Sequence, residues 1–326
     1  MRRLGLLCVA FAFAALAVGM ISRTPAAQTT GPEACRSGGP VAAAALPESL
    51  DLENCPINGR VIMDNGIGTV VPGPGESVHV DALTRDGSQE LEVTRYRDGT
   101  VDLEQVGDES QSGPLIGAQS SPGECSDAKF ELRDYKVFVV LRGYFNPRTT
   151  PKELSRKAAV GAVRRGTADI TSTRNNCGFR DRVPSYAGMS YEGSTKRRAQ
   201  IGTNGDCGGQ DRYSVVSFGT LPKGALAVSC TESHKMKDGW HTKWSDIMLN
   251  KARHNWTTRP QARSCSNRYD VESSVAHERG HTFGLGHAAP ESSHRYLTMS
   301  ETSNGPCQSS ERSLGRGDVL GLARKY

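Results

Sequence analysis

Five positions in the C-terminal quarter of the chain constrain its fold more than any other feature: His277, Glu278, His281, Gly284 and His287. Histidines four residues apart lie on one face of a helix, so both imidazoles can point at a single ion. Gly284 can adopt positive φ and end that helix, and His287 can then return as a third imidazole. Glu278 can reach a water on the ion without being a ligand, which suits a general base. The spacing therefore predicts a three-histidine metal site whose fourth position stays open.

The segment from His277 to His287, followed by Met299 in a Tyr-Leu-Thr-Met sequence, resembles the metzincin zinc endopeptidases and their Met-turn. It is most similar to the matrixin-like branch, and residues 314–322 resemble the final helix of that branch. The resemblance covers roughly residues 125–326. It implies three histidine ligands on one catalytic zinc, a glutamate base and an apolar floor formed by Met299. Glu301 stands where astacin-like and serralysin-like relatives have a tyrosine ligand, so that ligand is absent.

The resemblance implies a secreted zinc-dependent endopeptidase that hydrolyses peptide bonds in extracellular proteins. A zinc-bound water would attack the scissile carbonyl, and Glu278 would take its proton and pass it to the leaving amine. An extended substrate is expected to pair with a sheet edge beside the cleft. The candidate edge strand contains Ala225, Leu226, Ala227 and Val228.

Two alternative functions stay open. One is an exported binding protein with a structural or vestigial metal site, and the other is a zinc amidase that acts on a non-peptide substrate. A structural site would need a fourth protein ligand, and no residue near the three histidines is spaced for that role. Gly284 and Met299 favour the peptidase.

The first 27 residues match a secretory signal peptide: two arginines, an apolar run from Leu4 to Ile21 and small residues at Ala26 and Ala27. A membrane anchor is the alternative, because the run is close to the length that spans a bilayer. Residues 28–106 are predicted to be a small β-rich N-terminal region, 107–124 a linker and 125–326 a zinc metallopeptidase domain. The N-terminal region is interpreted as a propeptide, an accessory module or a layer packed on the main domain.

Removal of a signal peptide leaves eight cysteines: Cys35, Cys55, Cys125, Cys177, Cys207, Cys230, Cys265 and Cys307. An even number in an exported chain favours up to four disulfides, and eight cysteines permit 105 pairings. The absence of C-x-x-C spacing argues against a cysteine-based zinc ribbon. Cys35 or Cys55 could instead mask the zinc, although disulfides are the preferred interpretation.

Apolar alternation on both sides of Asp86-Gly87 and Asp98-Gly99 predicts a three-stranded meander. The run from Tyr135 to Leu141 predicts a strand covered on both faces, and Thr150 to Glu153 predict the start of a helix. Further elements are expected over Tyr213–Phe218, Ala225–Cys230 and Asp246–Asn250 as strands and over about Val271–Phe283 as a helix. The predicted class is α+β (α/β-like), a metzincin-type zincin catalytic domain with a twisted mixed sheet and an active-site helix.

The net charge of +5 is too small and too evenly spread to indicate nucleic-acid binding. The expected partners are protein or peptide substrates, with no stable membrane association after signal removal, and the chain is expected to be a monomer. Calcium is a second candidate cofactor without support, because no Asp-x-Asp-x-Asp-Gly loop occurs. Five further histidines are predicted to lie at the surface: His79, His234, His241, His254 and His294.

Overall fold

The computed structural model describes residues 33–36, 38–85, 87–106, 122–208, 211–289 and 291–326. The predicted signal peptide and most of the predicted linker lie outside these residues. All described residues belong to one compact unit. Within them, no helix has the length and apolar character needed to cross a membrane.

The strands in the N-terminal part are β1 (Val41–Ala42), β2 (Ser49–Asp51), β3 (Val61–Asp64), β4 (Ile67–Val70), β5 (Glu76–Leu83), β6 (Ser88–Arg95) and β7 (Thr100–Val106). Those that follow are β8 (Glu131–Leu132), β9 (Tyr135–Lys136), β10 (Leu141–Phe145), β11 (Met189–Ser194), β12 (Asp206–Cys207), β13 (Ser214–Gly219), β14 (Ala227–Met236), β15 (Gly239–Asn250), β16 (Trp256–Thr257), β17 (Tyr269–Asp270) and β18 (Leu285–Gly286). The helices are α1 (Arg156–Thr171), α2 (Val271–Thr282), α3 (Glu291–His294) and α4 (Arg316–Lys325).

One mixed sheet runs through the described unit in the order β11-β10-β13-β15-β14-β5-β6-β7-β2. The first four of these strands are mutually parallel, and every later neighbour pair is antiparallel. A smaller sheet has the order β1-β3-β4-β12. The structure is therefore α+β with a mixed principal sheet, as predicted.

The predicted meander is confirmed as β5, β6 and β7, and it is part of the principal sheet. Its first strand pairs antiparallel with β14 over eight residue pairs, from Leu83 opposite Ala227 to Glu76 opposite His234. Strands from residues 76–106 and from residues 141–250 therefore form a single sheet. Whether the N-terminal region is removable stays a prediction.

Both faces of β5 are buried, because side chains alternate across a strand and a layer lies on each side. Val78, Val80 and Ala82 pack in the cluster formed with the smaller sheet. Leu83 packs in the cluster that contains residues of α1 and α2. His79 and Asp81 point to the same side as Leu83 and are no more than 1% exposed.

The predicted strand over Tyr135–Leu141 is wrong in extent and burial. β9 ends at Lys136, β10 begins at Leu141, and Phe138, Val139 and Val140 between them are exposed. This apolar run belongs to a connection in which the Phe138 ring stacks on His241 at 4.6 Å. An apolar run shows a capacity for burial, but the surrounding elements decide whether a layer covers it.

The start predicted for the first helix is also wrong. Ser155 caps α1, since its hydroxyl accepts a hydrogen bond from the Ala158 amide at 3.1 Å. The Glu153 carboxylate instead accepts a hydrogen bond from the Trp256 amide at 3.3 Å. A long-range contact thus replaces the capping box that local sequence favours.

The candidate edge strand, Ala225 to Val228, is not at an edge of the described sheet. β14 begins at Ala227, and it pairs with β15 on one side and β5 on the other. Ala225 and Leu226 precede it and are buried. The prediction is wrong because β5, from more than 140 residues earlier in the sequence, covers that side of the strand.

All eight described cysteines form disulfides: Cys35–Cys55, Cys125–Cys177, Cys207–Cys230 and Cys265–Cys307. The predicted set of four bridges is confirmed. Neither Cys35 nor Cys55 offers a free thiol for a metal in this structure. Four disulfides are consistent with an extracellular protein.

Candidate metal centre

Helix α2 begins and ends where its sequence provides caps. The Asp270 carboxylate accepts a hydrogen bond from the Ser273 amide at 2.9 Å and is itself held by the Arg312 guanidinium at 2.6 Å. After Thr282, Gly284 adopts a φ of +80°. A Cβ at this position would lie 2.3 Å from the Tyr135 carbonyl oxygen, so only glycine fits. The predicted helix and its glycine stop are confirmed.

The three predicted histidines converge in the buried interior. The Nε2 atom of His277 lies 3.0 Å from that of His287 and 3.2 Å from that of His281. Each residue is at most 4% exposed. Burial lowers the pKa of all three imidazoles, to about 4 for His281, which favours the neutral form that binds metals.

The opposite ring nitrogens explain why the three Nε2 atoms face one another. His277 Nδ1 donates to the Thr298 carbonyl oxygen at 2.8 Å, and His281 Nδ1 donates to that of Leu285 at 3.0 Å. A carbonyl oxygen can only accept, so Nδ1 carries the proton and the Nε2 lone pair is free. His287 Nδ1 pairs with the Glu90 carboxylate of β6, which Arg133 also contacts.

A fourth side chain completes the cluster, and it comes from β5. Asp81 Oδ1 lies 3.3 Å from His281 Nε2, and Asp81 Oδ2 lies 3.6 Å from His287 Nε2. One donor atom each from Asp81, His277, His281 and His287 lies within 4.8 Å of every other. Ligands about 2.0–2.1 Å from a tetrahedral ion are roughly 3.3 Å apart, so the four groups fit a metal ion. Asp81 is therefore a fourth candidate ligand, and sequence spacing did not identify it because it comes from a distant part of the chain.

Sequence reasoning missed a polar patch on the meander. His79 and Asp81 alternate along β5, and they lie directly opposite Glu92 and Glu90 on β6. His79 was expected at the surface, but it is 1% exposed with its ring 5.9 Å from that of His281. His241, at 7% exposed, is also buried. The sequence signal that could have revealed this patch is the occurrence of four ionisable residues at alternate positions of one hairpin, where they face each other in pairs.

Glu278 points into the same interior, near Asp81, His281 and the Ser229 hydroxyl. It is fully buried, and among the described residues neither carboxylate oxygen has a hydrogen bond of normal geometry. Burial and the nearby Asp81 carboxylate raise its pKa to about 8, partly offset by His281 and the Ser229 hydroxyl. A buried carboxyl group without a partner is rare in a stable interior and is typical of a reactive site.

Met299 packs beneath the helix that carries the histidines. A Cβ at Gly280 would lie 2.1 Å from the Met299 sulfur, so Gly280 provides the space for this side chain. The Asp318 carboxylate fixes the turn by accepting hydrogen bonds from the Thr298 and Met299 amides at 2.9 and 3.2 Å. The motif spacing identified Met299, but it did not show that Gly280 and Asp318 hold it in place.

No protein-family model matches the chain, and no curated protein sequence matches it. The functional inference therefore rests on the side chains of the candidate metal centre.

Proposed function

We propose that the protein is a secreted zinc-dependent endopeptidase of the metzincin type, in which His277, His281 and His287 hold the metal and Glu278 is the general base. The observation that carries this proposal is the position of Glu278: fully buried, without a hydrogen-bond partner of normal geometry among the described residues, and near enough to Asp81 and His281 for both to shift its pKa. Three histidines with a neighbouring glutamate are a donor set that suits catalytic zinc.

When bound, zinc supplies a Lewis acid that polarises the scissile carbonyl and makes water acidic enough to react near neutral pH. Glu278 accepts a proton from the attacking water on one carboxylate oxygen as the new C–O bond forms. It then donates that proton to the amide nitrogen as the C–N bond breaks, so the amine leaves uncharged and the other product is a carboxylic acid. The buried setting of Glu278 holds its carboxyl group away from competing hydrogen bonds.

A structural metal site in an exported binding protein is the second candidate, and Asp81 is the observation that favours it. Structural zinc sites are closed by four protein ligands, and Asp81 can provide the fourth. Glu278 argues against this function, because a closed structural site gives no reason to bury an additional carboxyl group without a partner.

The Glu278→Gln variant tests the proposal. We expect it to keep the fold and bound zinc, because Glu278 is not a ligand and glutamine has nearly the same shape. Cleavage of an unfolded protein, followed by mass spectrometry of the new termini, should fall about 10²–10⁴-fold. Glu104→Gln, on β7 and outside the metal-ligand cluster, is the matched control and should cleave like the wild type.

Both forms should be assayed before and after limited proteolysis of the N-terminal region. Equal cleavage by wild type and Glu278→Gln would overturn the proposed mechanism. Full zinc occupancy without any new termini in either state would support the structural site.

A further inference from the structure

The small net charge of the chain hides an uneven distribution of the two signs. Residues 33–106 contain thirteen Asp and Glu against five Lys and Arg, whereas residues 142–198 contain thirteen Lys and Arg against four Asp and Glu. Residues 251–268 add five Lys and Arg and no acidic residue. The even spread of charge expected from the sequence is therefore wrong, because acidic and basic residues are concentrated in different regions of the chain.

The fold brings the two basic segments together along α1. Just before α1, the Lys251 ammonium donates a hydrogen bond to the Thr149 carbonyl oxygen at 2.7 Å. Just after α1, Arg174 and Arg259 line the same groove. Residues 251–259 thus extend from one end of α1 to the other, a distance of about 24 Å for its sixteen residues.

Seven cations on this path are exposed and form no ion pair with a described carboxylate. We call them the basic strip: Arg148, Lys152, Arg156, Lys157, Arg253, Arg259 and Arg263. Like charges without partners on one surface create a field that attracts anions and raises their local concentration.

At one end, the basic strip leads into a groove of about 520 Å³. Three guanidinium groups line the groove, and amide and hydroxyl side chains lie between them: Arg174, Arg259, Arg312, Asn176, Gln261 and Ser309. No aromatic residue is among the described lining residues. The groove therefore offers hydrogen bonds and positive charge, and it offers no ring on which a planar group could stack.

Buried carboxyl groups hold two of the three guanidinium groups in place. Arg174 bonds Asp169 at 2.9 Å and Glu272 at 3.2 Å, and Arg312 bonds Asp270 at 2.6 Å. These acids neutralise the two arginines in part, but Arg174 uses only one terminal nitrogen in its ion pairs. Arg174 and the unpaired Arg259 thus keep N–H donors for a ligand.

We propose that the basic strip and this groove bind an acidic polysaccharide, a linear sugar chain that carries sulfate or carboxylate groups. Guanidinium groups bind such anions through paired N–H donors, and amide and hydroxyl side chains can bond sugar hydroxyls. Single-stranded nucleic acids, by contrast, are bound largely by stacking on aromatic side chains. The inference does not rest on the proposed peptidase function, because none of the candidate metal ligands lines the groove.

Fluorescence anisotropy of a labelled heparin hexasaccharide tests the strip with the full chain. The triple variant Lys152→Gln, Arg253→Gln and Arg259→Gln should raise the dissociation constant at least about tenfold at about 0.15 M salt and should flatten its salt dependence. A control triple with the same change in net charge should bind like the wild type. It replaces three exposed cations outside the strip by glutamine: Arg97, Lys237 and Arg324.

A second pair of variants tests the groove apart from overall charge. Arg259→Lys keeps the charge but loses the forked donors, so heparin should bind at least about threefold more weakly with an unchanged salt dependence. Arg253→Lys, outside the groove lining, is the matched control and should bind like the wild type.

Three further probes identify the chemistry of the ligand. A neutral dextran oligosaccharide should not bind. Binding of a hyaluronan hexasaccharide as well as heparin would show that carboxylate groups suffice, and binding of heparin alone would show that sulfate is required. Single-stranded DNA that binds more tightly than both acidic sugars would overturn the proposal in favour of a nucleic acid.

The variants can also contradict each part of the site. Equal heparin affinity of the strip triple and the control triple would overturn the basic strip. Wild-type affinity of Arg259→Lys would overturn the role of the groove. Neither result depends on whether the protein binds zinc or cleaves peptides.

Discussion

The candidate metal centre is built from two sides that are braced differently. On the helix side, Asp270 and Asp318 anchor the start of α2 and the Met299 turn, and Cys265–Cys307 and Cys125–Cys177 cross-link the surrounding chain. On the meander side, β5 and β6 are held to the rest of the centre by strand pairing, by packing and by the contacts of Glu90 with His287 and Arg133. The difference teaches that the three candidate histidine ligands lie in a part of the chain braced by disulfides, whereas Asp81 lies on a strand that no disulfide of the described residues links to that part.

The two sides also differ in charge. The helix side contributes neutral imidazoles, two of which are fixed through Nδ1 by backbone carbonyl oxygens. The meander side contributes carboxyl groups, and burial raises the pKa of Asp81 well above its ordinary value. Asp81 and Glu278 both lie in this dry interior, so a cation between the two sides would relieve the cost of burying them.

The largest expected effect comes from removal of a helix-side ligand. His281→Ala should lower zinc affinity about 10²–10³-fold, if the roughly 10–16 kcal/mol of a structural zinc site is shared among its ligands. Metal per chain after dialysis against a chelator measures this loss. His254→Ala, outside the cluster, should retain the metal. If Asp81→Asn lost as much zinc as His281→Ala, the proposed difference between the two sides would be wrong.

A smaller effect should follow from loss of the bridge inside the N-terminal region. The double variant Cys35→Ser and Cys55→Ser removes a cross-link between residues 20 apart, worth about 3 kcal/mol. Hydrogen exchange should show faster exchange of the β5 amides and unchanged exchange of the α2 amides. Loss of Cys265–Cys307 should show the reverse pattern. If hydrogen exchange became similarly faster for the β5 and the α2 amides in either variant, the two sides would unfold as one unit.

The smallest effect should come from Glu90, which supports a ligand from the meander side. Glu90→Gln leaves an oxygen that can accept from His287 Nδ1, but it removes the negative charge. Zinc affinity should fall about tenfold in a competition assay with a fluorescent chelator. Glu104→Gln should give the wild-type affinity. An unchanged affinity in Glu90→Gln would show that His287 is oriented without help from the meander.

The helix side was predictable because its signals are local. The interval from His277 to His287 fits one helix, one glycine turn and one return, and Asp270 caps that helix three residues before Ser273. Hydrogen bonding and sterics within about fifteen residues decide these features. The same locality explains why the hairpins of the meander were placed correctly.

The meander side of the site was not predictable, because its function depends on contacts between distant parts of the chain. Val78, Val80 and Ala82 alternate with polar residues, a pattern that normally puts the polar residues in water. Here α2 covers the polar face, so His79 and Asp81 are buried. Likewise, nothing near Ala227 shows that residues 76–83 cover its strand.

The continuous sheet also leaves no open side on β14. A ten-residue strand such as β14 with one open side would be a template for strand addition and aggregation. β5 closes that side, and the described part of the principal sheet ends instead at β11 and the three-residue β2. The strand that lies beside the candidate metal centre therefore also covers the backbone groups of β14 with which another chain could pair.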